Sequence, residues 1–193
     1  MAMKHYNVKE RLIEATIRVI AAEGMDKTTT KIIAKEAGLF ETYIYQYFSN
    51  KENLLAETFD ALDTELMHVL MKNMPLFDDK SKSFEQRSKE YFLAIWEFMT
   101  GAPGRCTTFV RYYYSPYFNK YSAQKHAQLY APLKERCEKL FRPDANIAML
   151  LCYMLSTLSM FVQTVIDGRL EDNDDTREHV FLVIYNAVSP YFK

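Results

Sequence analysis

The chain has 193 residues, 49% of them hydrophobic and 25% charged, and a formal net charge of −1. This is an ordinary balance for a soluble globular protein, and the near-neutral charge alone argues neither for nor against a nucleic-acid partner. With 5 Gly and 6 Pro, hairpin turns and flexible linkers are scarce, which favours an all-α fold. The three cysteines are widely spaced and form no disulfide framework or zinc-binding pattern, so no metal and no cofactor are predicted.

The first predicted helix covers residues 4–23, where apolar residues recur every four positions and Gly24 follows as a stop signal. Its N-terminal end carries Lys4, His5 and Lys9. The sequence leaves open whether these side chains lie near phosphates of a nucleic acid or are ordinary solvated charges.

Two short helices joined by a glycine-containing turn follow. Thr29 offers a hydroxyl N-cap for the first, with Thr28 and Thr30 as the alternative caps. Gly38 ends this helix because glycine accepts the left-handed conformation of a tight helix exit. Leu39 is predicted to be a buried residue of the turn. The second short helix, called the reading helix, is predicted at Phe40–Tyr47, with apolar side chains spaced to point inward. This arrangement is typical of helix-turn-helix proteins, which place their second helix in the major groove of DNA.

Further helices are predicted at residues 51–73, 83–100, 105–115, 119–141, 145–167 and 174–191, which makes about nine in all. The first of these is long enough to join an N-terminal domain to the rest of the chain, and Asn50 is its predicted cap. Pro132 is expected to kink or split the helix at 119–141, because proline breaks helical hydrogen bonding. Asp144 is the predicted N-cap of the next helix.

Residues 147–166 contain no charged side chain and have the length of a membrane span. Polar residues interrupt the stretch, and its flanks lack a basic bias, so a helix buried on most sides of a soluble protein is the preferred interpretation and no membrane partner is predicted. A chain of this size has little interior for two apolar C-terminal helices. We therefore expect a partner surface at 145–167 and 174–191, most simply the same helices of a second copy.

One combination of residues is specific enough to suggest a family. It comprises Ile13, Ala15, Gly24, Thr28, Thr29, Ile33, Ala34, Ala37, Gly38, Leu39, Tyr45, Tyr47, Phe48, Lys51, Glu52, Leu54 and Leu55. With these residues the first quarter of the chain resembles the TetR-type (TetR/AcrR-like) transcriptional regulators; the remaining three quarters resemble that family only in length and helical character.

The resemblance implies an architecture and a function. It implies a DNA-binding domain at residues 1–53 and an effector-binding and dimerisation domain at 54–193. It further implies a cytoplasmic, homodimeric repressor that binds a palindromic double-stranded operator and is released by an unknown small-molecule effector, with activation in place of repression as the alternative. Residues 1–53 hold eight Lys and Arg against seven acidic residues, so affinity for DNA would depend on placed contacts and not on a broad positive field.

The resemblance also assigns roles to individual residues. Thr29 and Lys31, Tyr45 and Tyr47, and Lys51 match positions that contact the sugar–phosphate backbone. Bases would be read by exposed residues of the reading helix, which are Phe40, Glu41, Thr42, Tyr43 and Gln46. The family usually has Ser or Thr at Phe40 and a small residue at Thr42, so the operator sequence is not implied.

The family couples DNA binding to a ligand cavity. Aromatic and methionine side chains that suit an apolar or flat ligand are candidates for its lining, with packing in the core as the alternative for each. The candidates are Tyr91, Trp96, Phe98, Phe109, Tyr112, Tyr113, Met154 and Phe161.

The sequence does not suggest an enzyme. It has no nucleotide-binding loop, no HExxH or GxSxG motif, and its four histidines are scattered without partner spacing. The alternative from another class is a non-catalytic helical protein–protein interaction adaptor. An adaptor would explain the long apolar helices but not the co-occurrence of the N-terminal residues quoted above.

Overall fold

The computed structural model describes residues 7–193. This range folds into helices and contains no β-strand, only one isolated β-bridge between Phe141 and Phe192. The all-α prediction is therefore confirmed. The α-helices are α1 Val8–Glu23, α2 Thr30–Ala37, α3 Thr42–Phe48, α4 Lys51–Asn73, α5 Phe84–Thr100, α6 Pro103–Tyr113, α7 Ala123–Leu129, α8 Ala131–Glu138, α9 Ile147–Ile166 and α10 Asp174–Val188.

The first helix begins later than predicted. Asn7 caps α1, since its side-chain oxygen accepts from the Glu10 backbone N–H at 2.9 Å and the Glu10 carboxylate accepts from the Asn7 N–H at 3.1 Å. This reciprocal capping box fixes the helix start at Val8. Residues Lys4 and His5 lie outside the described residues. Lys9 forms an ion pair with Glu57 at 2.6 Å.

Two boundaries in the second half of the chain also differ from prediction. The helix predicted at 119–141 is divided into α7 and α8, because Pro132 starts a new helix in its first turn, where a missing N–H costs nothing. The prediction that Asp144 caps the next helix is wrong. Asn146 is the cap, and its side chain accepts from the Met149 N–H at 3.1 Å, whereas Asp144 pairs with Arg142 at 2.8 Å.

The chain packs as two units whose division falls within α4. One unit comprises the residues up to Thr64 together with Gly104–His126, and the other comprises Glu65–Pro103 together with Ala127–Lys193. Grouping α6 with the N-terminal helices was not predicted. The predicted functional division between residues 53 and 54 stays a prediction.

In the first unit, α6 is attached to α1 by side chains that donate to backbone carbonyls. The Thr108 hydroxyl donates to the Ile17 carbonyl at 2.9 Å in a buried position, and the Arg111 guanidinium donates to the carbonyls of Ile20 and Ala21. Arg111 thus supplies positive charge and donors to the C-terminal end of α1, where carbonyls lack helical partners. Arg105 adds an ion pair with Glu14 at 2.7 Å.

An aromatic cluster fills the space between α4 and α6. Phe59 is fully buried, and its ring stacks on those of Phe109 at 5.2 Å and Tyr112 at 4.7 Å. The Phe118 ring meets Phe59 edge-on at 5.5 Å. These contacts use the apolar side of α4, on which Leu55 and Phe59 are buried.

In the second unit, α9 packs on α5, α8 and α10. Trp96 is fully buried and its indole N–H donates to Asp172 at 2.9 Å, which ties α5 to the loop before α10. The prediction that the α9 segment is buried on most sides is wrong. Only 22% of the most apolar 18-residue stretch of α9 is buried within residues 7–193. By length and composition alone, α9 could also cross a membrane.

The buried hydrogen bond between α6 and α1 leads to a stability prediction. Replacing Thr108 by Val keeps the side-chain shape but removes the donor to Ile17, and we expect the free energy of unfolding of the first unit to fall by about 1 kcal/mol. Urea unfolding followed by circular dichroism measures the change. Thr64→Val is the matched control, because the Thr64 hydroxyl donates to its own helix at an exposed position and should matter by less than ~0.5 kcal/mol. Equal effects of the two substitutions would contradict the prediction.

Candidate nucleic-acid interface

The turn between α2 and α3 has the geometry that the sequence predicted. The Thr29 hydroxyl caps α2 by accepting from the Ile32 N–H at 3.3 Å. Gly38 follows with φ of 64° in the left-handed region, where a side chain would be strained, and the Leu39 N–H donates to the Ala34 carbonyl at 2.9 Å. Leu39 is half-buried against the core of the first unit.

The start of α3 differs from the predicted Phe40. The helix begins at Thr42, and within the described chain no side chain caps it. Glu41 stands at the cap position, and one of its carboxylate oxygens accepts from the Thr30 hydroxyl at 2.5 Å, which joins α3 to α2. Phe40 precedes the helix and is 79% exposed, which is unusual for a large apolar side chain.

The two sides of α3 differ in burial. Ile44 and Phe48 are fully buried and hold the helix on the core formed with α1 and α2. The opposite side exposes Thr42, Gln46 and Tyr45, and Tyr45 is 54% exposed. These hydroxyl and amide groups are able to bond base edges or phosphates without competing for the core.

Tyr43 and Tyr47 form a pair on α3, with ring centroids 6.5 Å apart. Tyr43 is half-buried and packs against the core, whereas Tyr47 is exposed. Of the two, Tyr47 therefore presents more of its side chain to a partner.

Lys51 lies in the first turn of α4. Its ammonium group donates to the Thr28 carbonyl at 3.1 Å and lies 5.8 Å from the ring centroid of Tyr117. Asn50 caps the helix as predicted, since its side chain accepts from the Asn53 N–H at 2.8 Å. An ammonium group has three donors, so the bond to Thr28 orients Lys51 and leaves donors for an anion.

Two arginines of α1 frame the site. Arg11 donates to the Ala37 carbonyl at 2.8 Å, which satisfies the C-terminal end of α2. Arg18 forms an ion pair with Glu36 on α2. Lys31 and Lys35 are exposed on α2, so α2 offers cations beside the reading helix. The ten predicted DNA-contacting residues all belong to the continuous segment Thr29–Lys51. Which of them touch DNA stays a prediction.

A second candidate site is a cavity of about 110 Å³ in the second unit. Its lining is apolar, with contributions from α4, α5, α8, α9 and α10, and none of the described lining residues is charged. The lining includes Leu70, Phe77, Tyr91, Leu133, Cys137, Leu151, Met154, Leu155, Leu158, Phe181 and Tyr185.

The polar groups of this cavity are held in their neutral forms. Burial raises the pKa of the Cys137 thiol to about 12, and burial also raises the pKa values of Tyr91 and Tyr185. The Tyr91 hydroxyl donates to the Leu70 carbonyl at 3.2 Å. At neutral pH these groups carry no charge with which to bind an ion.

Of the predicted cavity residues, the structure brings together only Tyr91 and Met154 in this cavity. Phe109, Tyr112 and Tyr113 belong to the aromatic cluster of the first unit. These three side chains therefore pack in the core, which was the alternative to lining a cavity. Trp96 is buried against Asp172, and Phe98 and Phe161 are absent from the lining of this cavity. Single-sequence reasoning missed the aliphatic lining residues, because Leu and Phe at helical spacing give the same signal in a core and around a cavity.

Comparison with known proteins agrees with the helix-turn-helix geometry. Residues 12–58 match the family model of the bacterial regulatory proteins of the tetR family. An uncharacterised HTH-type transcriptional regulator of Haemophilus influenzae is 29% identical over 112 residues, which are 58% of each chain. The nicotine-responsive transcriptional repressor of Paenarthrobacter nicotinovorans is 27% identical over 88 residues, which are 46% of this chain and 43% of that protein. The chain therefore matches about half the length of these curated relatives.

The solved structures extend the likeness to the whole fold. The crystal structure of a TetR family transcription regulator from Shewanella sp. PV-4 superposes with a TM-score of 0.75 and covers 94% of this chain and 98% of that one. Its sequence identity of 17% supports the fold alone. The helix-turn-helix segment thus matches the tetR family, and the described chain has the same fold as solved structures of TetR family regulators over nearly its full length.

Proposed function

We propose that this protein is a cytoplasmic DNA-binding transcriptional regulator that acts as a homodimeric, ligand-released repressor. The observation that carries the proposal is α3, which buries Ile44 and Phe48 and exposes Thr42, Tyr45 and Gln46 beside the cations of α2 and α4. A helix held by its apolar side and polar on its exposed side suits entry into a major groove.

The proposed DNA contacts fall into two classes. Thr29, Lys31, Tyr45, Tyr47 and Lys51 contact the sugar–phosphate backbone and position the protein. Phe40, Thr42 and Gln46 contact base edges, where the exposed Phe40 ring suits a thymine methyl group. Glu41 and Tyr43 have smaller roles in reading, because Glu41 is engaged by Thr30 and Tyr43 is half-buried.

The proposed dimer forms through residues 145–167 and 174–191. In α9, Met149 is 60% exposed and Met160 is 57% exposed, and Val183 of α10 is also exposed. Large apolar side chains exposed along two neighbouring helices are costly in water, and a second copy buries them symmetrically. A dimer also places two reading helices on one palindromic site, with half-sites about one DNA turn apart or a small multiple of that.

The proposed effector is a small uncharged apolar molecule bound in the cavity of the second unit. Support comes from a lining without charged residues and from buried polar groups that stay neutral. Helix α4 carries Lys51 in its first turn and Leu70 of the cavity lining in its last. Helix α4 therefore contributes a residue to each site, which suits a ligand-dependent change in DNA affinity. The named response of the Paenarthrobacter repressor to nicotine gives one small-molecule precedent in a relative.

The adaptor alternative draws on the same exposed apolar faces of α9 and α10. An adaptor function does not explain the turn at Gly38 or the polar exposed side of α3. We accordingly propose a non-enzymatic regulator and keep the adaptor as the outcome that a lack of DNA binding would favour.

The experiment that tests this function is the selection of bound sequences from a random DNA pool by the purified protein, with its mass in solution measured in parallel. We expect an enriched palindrome and a particle near twice 22.7 kDa. A folded, ligand-free protein that enriches no sequence would refute the DNA-binding proposal, and a monomeric particle would refute the dimer.

Two substitutions in α3 separate backbone contact from base reading. Tyr45→Phe removes a hydroxyl at an exposed position, and we expect affinity to fall by a similar factor, roughly fivefold, for every DNA sequence. Thr42→Ala removes a group placed for base edges, and we expect the preferred base at one position of each half-site to change. Binding to operator and scrambled duplexes at fixed salt measures both. Unchanged binding in both variants would show that the placement of this helix on DNA is wrong.

The dimer surface makes a separate prediction. Met160→Glu places a charge in the proposed interface, and we expect the dimer to weaken by at least ~10-fold, because each copy would bury an unpaired carboxylate. Sedimentation at a series of protein concentrations measures the equilibrium. Gln128→Glu adds the same charge at an exposed position of α7 and should leave the dimer intact. A stable Met160→Glu dimer would exclude this part of α9 from the interface.

The cavity predicts selectivity among ligands of one shape. Toluene, benzoate and benzylammonium differ mainly in charge, and we expect only toluene to raise the melting temperature, because the lining has no charge to offset ion desolvation. Differential scanning fluorimetry measures the shift. Leu155→Phe narrows the cavity and should reduce the toluene response. An equal response to either ion would contradict the neutral character proposed for the site.

A further inference from the structure

A short turn after α6 lies beside the first turn of α4 and takes no part in the helix-turn-helix. It comprises residues 117–122, called here the tyrosine turn, and Phe118–Ser122 within it is π-helical. Such single-turn π segments are rare and often occur at functional sites.

The tyrosine turn is anchored from one side only. Phe118 packs edge-on against Phe59, and Ser122 is buried with its hydroxyl 3.0 Å from the Tyr112 hydroxyl. Between these anchors Lys120 is exposed and Tyr121 is 43% exposed. The turn therefore holds a cation and a phenol outward on a fixed backbone.

The same turn is continuous with the proposed phosphate contact at Lys51. The Lys51 ammonium group lies 5.8 Å from the Tyr117 ring, and the Tyr117 ring stacks on Tyr121 at 6.3 Å. The Lys120 ammonium group lies 5.0 Å from the Tyr121 ring. Two cations thus approach one stacked pair of tyrosine rings, an arrangement that favours both charges.

The charge on Lys120 is stable near neutral pH. A hydrogen bond from Lys120 to Tyr121 raises the pKa of the ammonium group, and the nearby Glu52 carboxylate acts in the same direction. Glu52 is the one acidic neighbour among these causes, and the Lys120 side chain is exposed. Lysine and tyrosine side chains that project into solvent are typical donors to DNA phosphates.

We propose that Lys120 and Tyr121 form an additional contact with the DNA phosphate backbone, next to the phosphate bound by Lys51, so that the interface extends beyond the helix-turn-helix. The partner is a DNA backbone because the surface adjoins Lys51 and offers a cation with a phenolic hydroxyl. This inference rests on the proposed DNA-binding function.

The test is the salt dependence of DNA affinity for the full-length protein and its variants. The log of affinity falls with the log of salt concentration in proportion to the number of phosphates contacted, at about 0.9 per phosphate. We expect Lys120→Gln to reduce the slope by about that amount for each half-site and to weaken operator and random duplexes equally. Tyr121→Phe should weaken both duplexes without a change in slope, and Lys120→Arg should keep the wild-type slope.

The matched control is Lys125→Gln, which removes the same charge from the same stretch of chain. Lys125 is paired with Asp60 at 2.5 Å and should leave the slope at its wild-type value. If Lys120→Gln changes the slope no more than Lys125→Gln does, the additional contact is refuted while the helix-turn-helix proposal stands. If the wild-type protein binds neither duplex, the proposed function fails and this inference fails with it.

Discussion

The first unit depends on the attachment of α6 to α1. Thr108 and Arg111 donate to carbonyls of α1, and the bond from Thr108 to Ile17 is buried. Buried hydrogen bonds are directional, so they fix both the position and the rotation of α6 on α1, which apolar packing alone would leave less defined. Because α1 also packs on α2, the frame that carries the reading helix includes a segment about 90 residues further along the chain.

The reading helix itself has little stability of its own. It has seven residues and lacks a side-chain cap within the described range, and isolated helices of that length are marginal in water. Its position comes from the burial of Ile44 and Phe48 and from the bond between Glu41 and Thr30. A helix stabilised from its inner side keeps its outer side free, which is the condition that DNA reading requires.

In the second unit, the apolar residues of α9 lie in two different environments. Leu151, Met154 and Leu158 line the cavity, whereas Met149 and Met160 are exposed. A ligand between α9 and its neighbours would therefore act on the helix that we propose for the dimer. The cavity and the proposed interface would use different faces of this same helix.

The sequence alone determined the elements whose cause is local. Thr29, Gly38 and Asn50 gave the helix-turn-helix boundaries correctly, because caps and a left-handed glycine act within a few residues. Local signals misled at Asp144, where the neighbouring Asn146 took the cap, and at Phe40, where the helix began two residues later. Only the tertiary structure decided that Phe109, Tyr112 and Tyr113 pack on Phe59 while the cavity is lined elsewhere, and that the tyrosine turn lies beside Lys51. Helical spacing shows which residues share a face, but the partner of that face is set by contacts between residues far apart in the chain.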